Sequence, residues 1–561
     1  MTRQFEVTQR DGAARLGRLR WTDHELSTPC VLETKDQLEL LEEMTESNTD
    51  LDVEVIKDSE DVHGTNINAD IIILAGALRF EDDPRGLSRA LIDIKESTNP
   101  DAALYAPTLA TPQNISMLIY AGIDIVDSVL SDVKAREGYL LYTDGEERFD
   151  EIPHPLCLCD VCRNINFGDG SFERKVAITS EHNRGALLAE LHRVRARVKK
   201  GALRELVEAR CRTTPTLTAF LRLLDEEYNY FERRSPIVRT ATLLACSQES
   251  LDRVEIRRFN ERIIERLHKR EGILLLLPCS ARKPYSRSRS HRIILARLYK
   301  LRPFLNEAII TSPIGVVPRS LEVMYPACNY DIPVTGKWTR DERERAIEQL
   351  ARYIEANAFD SIVAYVEGPY KAICDDVAVK LGVDMIHPGD SENILSSHSL
   401  QRLEEIVRDL IEKHSPVRRD LRFDYLRDLA DYQFDNGASA AFFSRAPKIR
   451  GVFPRYYASD RGRRIATLVD RYGTLALTIE GAKRYIDGHI GHYCVWIDDF
   501  EPKGTIFAVG VLRADPIIRP FDEVIVLNDN TIAVGRALMS GWEMEASNRG
   551  AAVAVRHVEA R

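Results

Sequence analysis

Two stretches of the chain crowd reactive side chains together. The first is Gly272–His291, reading GILLLLPCSARKPYSRSRSH. Cys279, Ser280, Lys283, Tyr285, Ser288, Ser290 and His291 follow Pro278 within thirteen positions, interleaved with Arg282, Arg287 and Arg289. A thiol set among cations has its thiolate favoured and becomes a nucleophile. An imidazole at the same loop supplies a proton carrier. The plainer alternative is a core strand followed by a basic surface loop. The second stretch is Cys157-Leu-Cys159-Asp-Val-Cys162, followed after a 19-residue spacer by His182. Three thiolates and one imidazole complete a tetrahedral zinc shell, and a shell with no open position is structural. His154 competes as fourth ligand, and three unligated thiols in a loop are the simpler alternative.

These side chains need a scaffold, and the apolar pattern supplies one. Ile273–Leu277 is a short apolar run ended by a turn residue, which predicts a fully buried strand. Its polar continuation then lies at the carboxyl end, where open α/β sheets place their chemistry. Three further runs have the same form. Ala308-Ile-Ile leads into Thr311–Glu322, Ser361-Ile-Val-Ala-Tyr-Val into Glu367–Tyr370, and Asp384-Met-Ile into His387–Asp390. In a parallel sheet all four loops converge on one edge. Helices are predicted over Ile256–Arg270 and over Asp341–Ala356, the latter capped by Thr339.

Earlier in the chain, residues 1 to about 150 alternate short apolar runs with helix-like stretches. Asp70–Ala75, Ala103–Ala106 and Ile123–Val126 read as strands, and Pro84–Ser97 and Thr111–Ala121 as helices. That alternation predicts a parallel sheet, open or closed into a barrel. A helix over Glu181–Lys200 carries His182. Residues 416–480 form a small basic α+β module. Its Arg418, Arg419, Arg445, Arg450, Arg455, Arg463 and Arg464 either contact phosphates or form a solvated face. The last eighty residues carry short β runs at Thr505–Val511, Glu523–Leu527 and Thr531–Gly535, which predicts a small barrel.

Bulk properties bound the rest. A chain of 561 residues implies three or four domains. With 44% apolar and 29% charged residues and no apolar run near the ~18 residues of a membrane span, no membrane segment is expected. The first residues lack the apolar core of a secretion signal. Ten irregularly spaced cysteines argue for metal binding in a reducing compartment, hence a cytoplasmic protein. Net charge is −10, yet Glu232–Lys300 holds 17 Lys and Arg against 7 acids, and Arg418–Tyr472 holds 12 against 7. Basic stripes on an acidic chain suit a polyanion met at defined places.

The strand–helix repeat followed by Cys157-x-Cys159-x-x-Cys162 and His182-Asn183 resembles the tRNA-guanine transglycosylase family. That resemblance covers roughly residues 1–240 and implies a (β/α)8 barrel with a structural zinc. Two departures stand out: the spacer before His182 is short, and the Asp-Ser-Gly and Gly-Gly-rich segments carrying the family's pocket and catalytic aspartates are absent. Ala75-Gly-Ala-Leu-Arg-Phe and Ala110-Thr-Pro-Gln-Asn stand in their place. The barrel is thus read as degenerate and non-catalytic. In the last stretch, Lys503-Gly504, Phe507–Val511, Asp522-Glu-Val, Ala533–Ala537, Ser540-Gly and Arg549–Val553 resemble the PUA domain, an RNA-binding module.

The motif Pro278-Cys279-Ser280-x-x-Lys283-Pro284-Tyr285-x-x-Ser288-x-Ser290-His291 resembles, without a gap, that of the archaeosine synthase family. The implied order is a degenerate barrel with zinc (1–240), an α/β core domain with a parallel sheet (241–415), a small α+β module (416–480) and a PUA β-barrel (481–561). The resemblance implies action on tRNA carrying 7-cyano-7-deazaguanine at position fifteen, turning its nitrile towards a formamidine without ATP. The nitrogen donor is lysine, with a radical-SAM lyase as partner, or glutamine. On this reading Cys279 adds to the nitrile as a thioimidate that the donor displaces, or it is structural and the amine adds directly. His291 moves protons, and Lys283, Ser280 and Tyr285 complete the catalytic set. Ser288 and Ser290 contact substrate. Arg319, Glu322, Asp331, Glu367 and Asp390 are candidate clamps for a zwitterionic donor, or surface ion pairs. A catalytically silent tRNA-binding partner of a transglycosylase and an active transglycosylase are the competing readings.

Overall fold

The structure is a computed structural model. It describes all residues except 1–4, 22–23, 34–35, 38–50, 58–61, 63–66, 153, 164, 168–169, 334–336, 389–392, 444–446 and 489–490. The chain forms two compact units. One comprises Met1–Pro236, Thr505–Pro520 and Leu538–Ala554, the other Ile237–Gly504, Phe521–Ala537 and Val555–Arg561. No described helix is long and apolar enough to cross a membrane.

The first unit opens with an antiparallel sheet of Phe5–Asp11, Ala14–Trp21 and His24–Thr28. It packs through Phe5, Leu19 and Trp21 onto Ile71, Ile73, Ala103 and Ile125 of a parallel sheet. The parallel sheet runs Cys30–Leu32, Ile125–Asp127, Ala103–Tyr105, Ile71–Leu74, Val53–Ile56. Pro84–Ser97 is a helix with Pro at its first turn and Asp83 as cap. The eight parallel strands of a complete barrel do not form among the described residues. After Asp127 the chain supplies helices, chiefly Phe172–Lys200, and the hairpin Tyr139–Leu141/Glu146–Arg148. The sequence there is charged and helix-periodic, with no further buried β run to extend the sheet.

The second unit is built on a sheet ordered Gly315–Pro318, Leu305–Thr311, Glu271–Pro278, Ala358–Ala364, Met385–Ile386. All neighbours are parallel except Gly315–Pro318, which returns antiparallel to Leu305–Thr311. Ile273–Leu277 are wholly buried. Alternate residues Ile273, Leu275 and Leu277 pack with Ile294, Leu298, Leu403 and Val407 from the helices Arg289–Arg297 and Ser397–His414 and the turn after the first. Leu274 and Leu276 are equally buried on the opposite face, so both faces are covered and the run is continuously apolar rather than alternating. Each such leucine contributes about 1.5–3 kcal/mol of transfer free energy. A four-stranded antiparallel sheet follows, Lys448–Val452, Arg455–Asp460, Arg463–Val469, Thr474–Leu477. In the C-terminal stretch Glu523–Leu527 pairs antiparallel with Thr531–Ala537 and parallel with Cys494–Ile497.

Candidate functional site

Register decides which side chains meet. Leu277 pairs with Ile309, Pro278 with Ile310 and Leu276 with Ala364, so three strands end at one level. Beyond them lie Cys279, Thr311 and the Glu367–Tyr370 turn. That turn enters the helix Pro369–Leu381 through Gly368, whose φ of +54° excludes most side chains, with Pro369 at its first position. Tyr370 is thereby aimed at the first strand's loop, and its hydroxyl lies 2.8 Å from Cys279 Sγ. Trp338 abuts the Tyr370 ring edge-on, with centroids 5.3 Å apart.

A second layer fixes the loop beneath Cys279. The hydroxyls of Tyr285 and Tyr330 are 2.9 Å apart, and Tyr330 also bonds Thr311 Oγ1. Lys283 Nζ sits 3.8 Å from the Tyr330 ring centroid, a cation–π contact that holds the ammonium in place. Burial lowers the Lys283 pKa, opposed by Cys279 and then Asp331. Burial also raises the pKa of Tyr370, aided by Cys279. At neutral pH the phenol is therefore protonated and can donate a hydrogen bond to sulfur or to a ligand bound there. The half-buried thiol, the phenol and the ammonium form the reactive cluster.

Several residues expected at the reacting edge are elsewhere. His291 is fully buried. Its Nε2 donates to Pro278 O at 2.9 Å and its Nδ1 accepts from Arg319 at 2.9 Å. Burial first and Arg319 second lower its pKa to about 3. Both ring nitrogens are occupied and the ring is neutral, so it holds the Pro278–Cys279 turn and has no free nitrogen with which to carry protons. Arg319 and Glu322 are not an open clamp either. Arg319 donates to Glu307 at 2.8 Å and to Glu322 at 3.0 Å, while Glu322 also accepts from Ser286 N at 2.8 Å and Tyr425 Oη at 2.6 Å. The reason is the antiparallel return Gly315–Pro318, which pairs Pro318 with Ala308 and so carries Arg319 back to Glu307 rather than leaving it on the edge. Gly315 permits that return: its φ is +96°, and a Cβ there would lie 2.8 Å from Gln349 Cβ.

Ser288 caps the helix Arg289–Arg297, accepting from His291 N at 3.3 Å, and its hydroxyl also lies 3.3 Å from Ser290 Oγ. Ser280 Oγ donates to Arg282 O at 3.0 Å. Tyr285 is buried under the loop. Asp331 is exposed and bonds Ile332 N, and Glu367 accepts from Ile394 N at 3.2 Å. Asp390 lies outside the described residues. Sequence reading missed Tyr370 and Tyr330 as site members. A tyrosine behind Gly-Pro at a strand end was the available signal for the first; Tyr330 carries none.

The other cluster lies in the first unit. The ligand atoms of Cys157, Cys159, Cys162 and His182 all fall within 4.8 Å of one another. His182 Nδ1 is 3.3, 3.8 and 3.4 Å from the three sulfurs in that order. Zinc bonds of about 2.3 Å to sulfur and 2.0 Å to nitrogen in a tetrahedron give S···N separations near 3.5 Å, so the donor set fits. His182 Nε2 donates to Leu141 O at 3.1 Å, leaving Nδ1 as the lone-pair donor toward the thiols. Asn183 accepts from Leu141 N at 2.8 Å, tying the helix to the same strand. His154 Nδ1 instead faces Ile165 O at 3.2 Å, so the competing ligand is not part of the cluster. In the parallel sheet, Asp127 is fully buried and accepts from Tyr105 Oη, Thr108 N and Val129 N.

Comparisons with known proteins agree with this anatomy. The family models "Queuine tRNA-ribosyltransferase", "Patch-forming domain C2 of tRNA-guanine transglycosylase" and "PUA domain" match residues 59–216, 424–488 and 500–558. A "Domain of unknown function (DUF5591)" matches 256–407, the segment holding the Cys279 loop. The parts are thus those of the tRNA-guanine transglycosylase group, and a tRNA-guanine(15) transglycosylase of Methanothermobacter thermautotrophicus is 29% identical over 79% of this chain and 64% of its own. Higher identity lies with an archaeosine synthase subunit alpha of Methanosarcina acetivorans (39%) and an archaeosine synthase of Haloferax volcanii (38%), each covering 100% of both chains. The chain belongs to the archaeosine synthase family.

Proposed function

We propose that this chain is a tRNA-modifying transferase of archaeosine formation. It adds an amine donor, lysine in preference to glutamine-derived nitrogen, to the nitrile of 7-cyano-7-deazaguanine at position fifteen of tRNA. The observation that carries the reading is the 2.8 Å contact between Cys279 Sγ and the Tyr370 hydroxyl, beside a lysine of lowered pKa. A nitrile carbon is weakly electrophilic and needs a nucleophile together with a proton donor at nitrogen.

In the proposed course the Cys279 sulfur bonds to the nitrile carbon, and one C≡N π bond breaks. The Tyr370 hydroxyl supplies a proton to the nitrogen and recovers one from the thiol, giving a neutral thioimidate. The donor amine then adds to that carbon and the C–S bond breaks. The amine's proton passes to the departing sulfur through the Tyr370 hydroxyl, with the Lys283 ammonium beside them favouring the thiolate as it leaves. The product is an amidine bearing the donor, and no ATP is consumed. If lysine is the donor, a partner lyase of the radical-SAM type would be needed to release the formamidine. Asp331 and Glu367 are the expected acids left to meet the donor's α-amine, and the Arg319–Glu322 network positions the loop instead.

Cys157, Cys159, Cys162 and His182 are proposed to hold a structural zinc, which would cross-link the 157–162 loop to the helix Phe172–Lys200. The region 1–240 serves as a degenerate transglycosylase-like domain, supported by the saturated hydrogen bonding of Asp127, and the PUA region grips tRNA. The test is to incubate the protein with cyano-modified tRNA and isotope-labelled lysine, then weigh the modified nucleoside. A mass gain carrying the label is expected. Binding without a mass change would overturn the reading in favour of a silent tRNA-binding partner.

A further inference from the structure

The loop carrying Cys279 has a second side that the proposed chemistry does not use. Ser286 and Arg287 form one wall of a groove of about 1000 Å³ within the second unit. Lys300 and Arg418 line it from other segments, with Tyr299, Phe453 and Tyr456. The cations fall into two kinds. Arg302 and Arg422 also line the groove, but they pair with Glu307 and Asp420. Arg287, Lys300 and Arg418 are exposed and, among the described residues, pair with no carboxylate. Tyr299 is 75% exposed, far more than a large aromatic usually is, while Phe453 and Tyr456 are half-buried and pack edge-on against Tyr425. The Arg287 guanidinium lies 5.8 Å from the centre of the Phe453 ring.

We infer that this groove holds a stretch of the tRNA strand, with phosphates on Arg287, Lys300 and Arg418 and a base against Tyr299 or Tyr456. Unpaired cations beside exposed aromatic faces are the pattern by which proteins grip single-stranded nucleic acid, since every base has a face to stack. An acidic peptide would use the cations but has no need of the rings. The groove is also mechanically tied to the reactive loop. Tyr425 on its floor donates to Glu322, which accepts from Ser286 N and Arg319, and Arg319 bonds His291, which holds Pro278 O. A strand seated there is therefore registered against the residue that precedes Cys279.

The inference rests on tRNA being the substrate but not on any step of amine transfer, and the test keeps the two apart. Binding of an unmodified tRNA transcript would be measured against salt for the unaltered chain, for Arg287→Gln/Lys300→Gln/Arg418→Gln, and for Lys300→Gln alone. The triple variant is expected to bind tenfold or more weakly, with the slope of log K against log salt flattened by about 0.7–0.9 for each phosphate no longer neutralised. Lys300→Gln alone would lose one such step. Arg340→Gln, an exposed cation on the helix Arg340–Glu355 outside the groove, serves as control and is expected to be silent. On cyano-modified tRNA the triple variant should raise KM and leave kcat near that of the unaltered chain. An unchanged affinity and salt slope in the triple variant would overturn the groove assignment even if amine transfer proceeds. A failure of amine transfer in the unaltered chain would leave the binding result standing.

Discussion

The chain holds two cysteine-bearing loops, and their contrast separates structure from chemistry. In the first unit three thiols converge on one imidazole whose far nitrogen is already bound to a backbone carbonyl. A metal bound there would have four protein ligands and no room for a fifth partner. In the second unit Cys279 stands without another thiol, half-buried, facing a phenol that is free to act as donor. One loop is closed by its own complement of ligands, and the other leaves one valence of reactivity unspent. The difference arises from the scaffold. A long helix brings His182 back onto the Cys157–Cys162 loop, whereas a parallel sheet edge brings several loops together while leaving the space above them open.

The largest expected effect breaks this contrast at its open end. Cys279→Ser should lower amine transfer by about 10³-fold or more, as loss of a nucleophile does, with tRNA binding kept. Mass spectrometry of the quenched enzyme should show a nucleoside thioimidate on Cys279 in the unaltered chain and none in the variant. Near-normal turnover by Cys279→Ser would reduce the thiol to a structural neighbour of Tyr370.

The closed end should respond in stability. Cys162→Ser, or removal of zinc by a chelator, is expected to release one equivalent of metal and lower the Tm of the first unit. For a unit of this size each kcal/mol corresponds to about 2–4 °C, so a loss of several kcal/mol is readily seen by calorimetry. His154→Ala should leave metal content unchanged because its ring faces Ile165 O. Loss of zinc in His154→Ala would reassign the fourth ligand.

What could be read from the chain and what could not follow from the same physics. Ile273–Leu277, Pro84–Ser97 and the Thr339 cap of Arg340–Glu355 are local signals, set by apolar runs, a first-turn proline and a capping box. The four parallel strands of the second unit were legible because each carries a short apolar stretch, Ile273–Leu277, Ala308–Ile310, Ile362–Ala364 and Met385–Ile386, that ends in polar residues with Pro or Gly. The Cys3His cluster was legible because three cysteines at short spacing followed by a histidine are a local pattern. Arg319 and Glu322 were misplaced because the return Gly315–Pro318 is only four residues long and hides inside an apparent loop. Tyr330 could not be found at all, since its place beside Tyr285 depends on tertiary packing. Of the expected barrel the described residues form five parallel strands, because a family motif fixes the cysteine loop but not the number of strands around it.

His291 gives the smallest and most discriminating effect, because it was expected to move protons and is instead held neutral. Its pKa in the folded chain is about 3, against an ordinary value near 6.5. Below pH 6.5 the unfolded chain binds a proton that the folded chain does not. Stability from this group is therefore complete above pH 6.5 and declines as pH falls towards 3, where the folded ring also protonates. The slope is about 1.4 kcal/mol per pH unit for one proton. His291→Gln retains a donor for Pro278 O and an acceptor for Arg319 but cannot titrate. Denaturant unfolding between pH 6.5 and 5, where Glu307 with its pKa near 2 stays ionised, should show the unaltered chain losing stability faster than the variant by that slope. Turnover of the variant should keep the pH profile of the unaltered chain, because the ring positions Cys279 and exchanges no proton with substrate. Parallel stability curves, together with a lost limb in the pH–rate profile, would return His291 to the reacting centre.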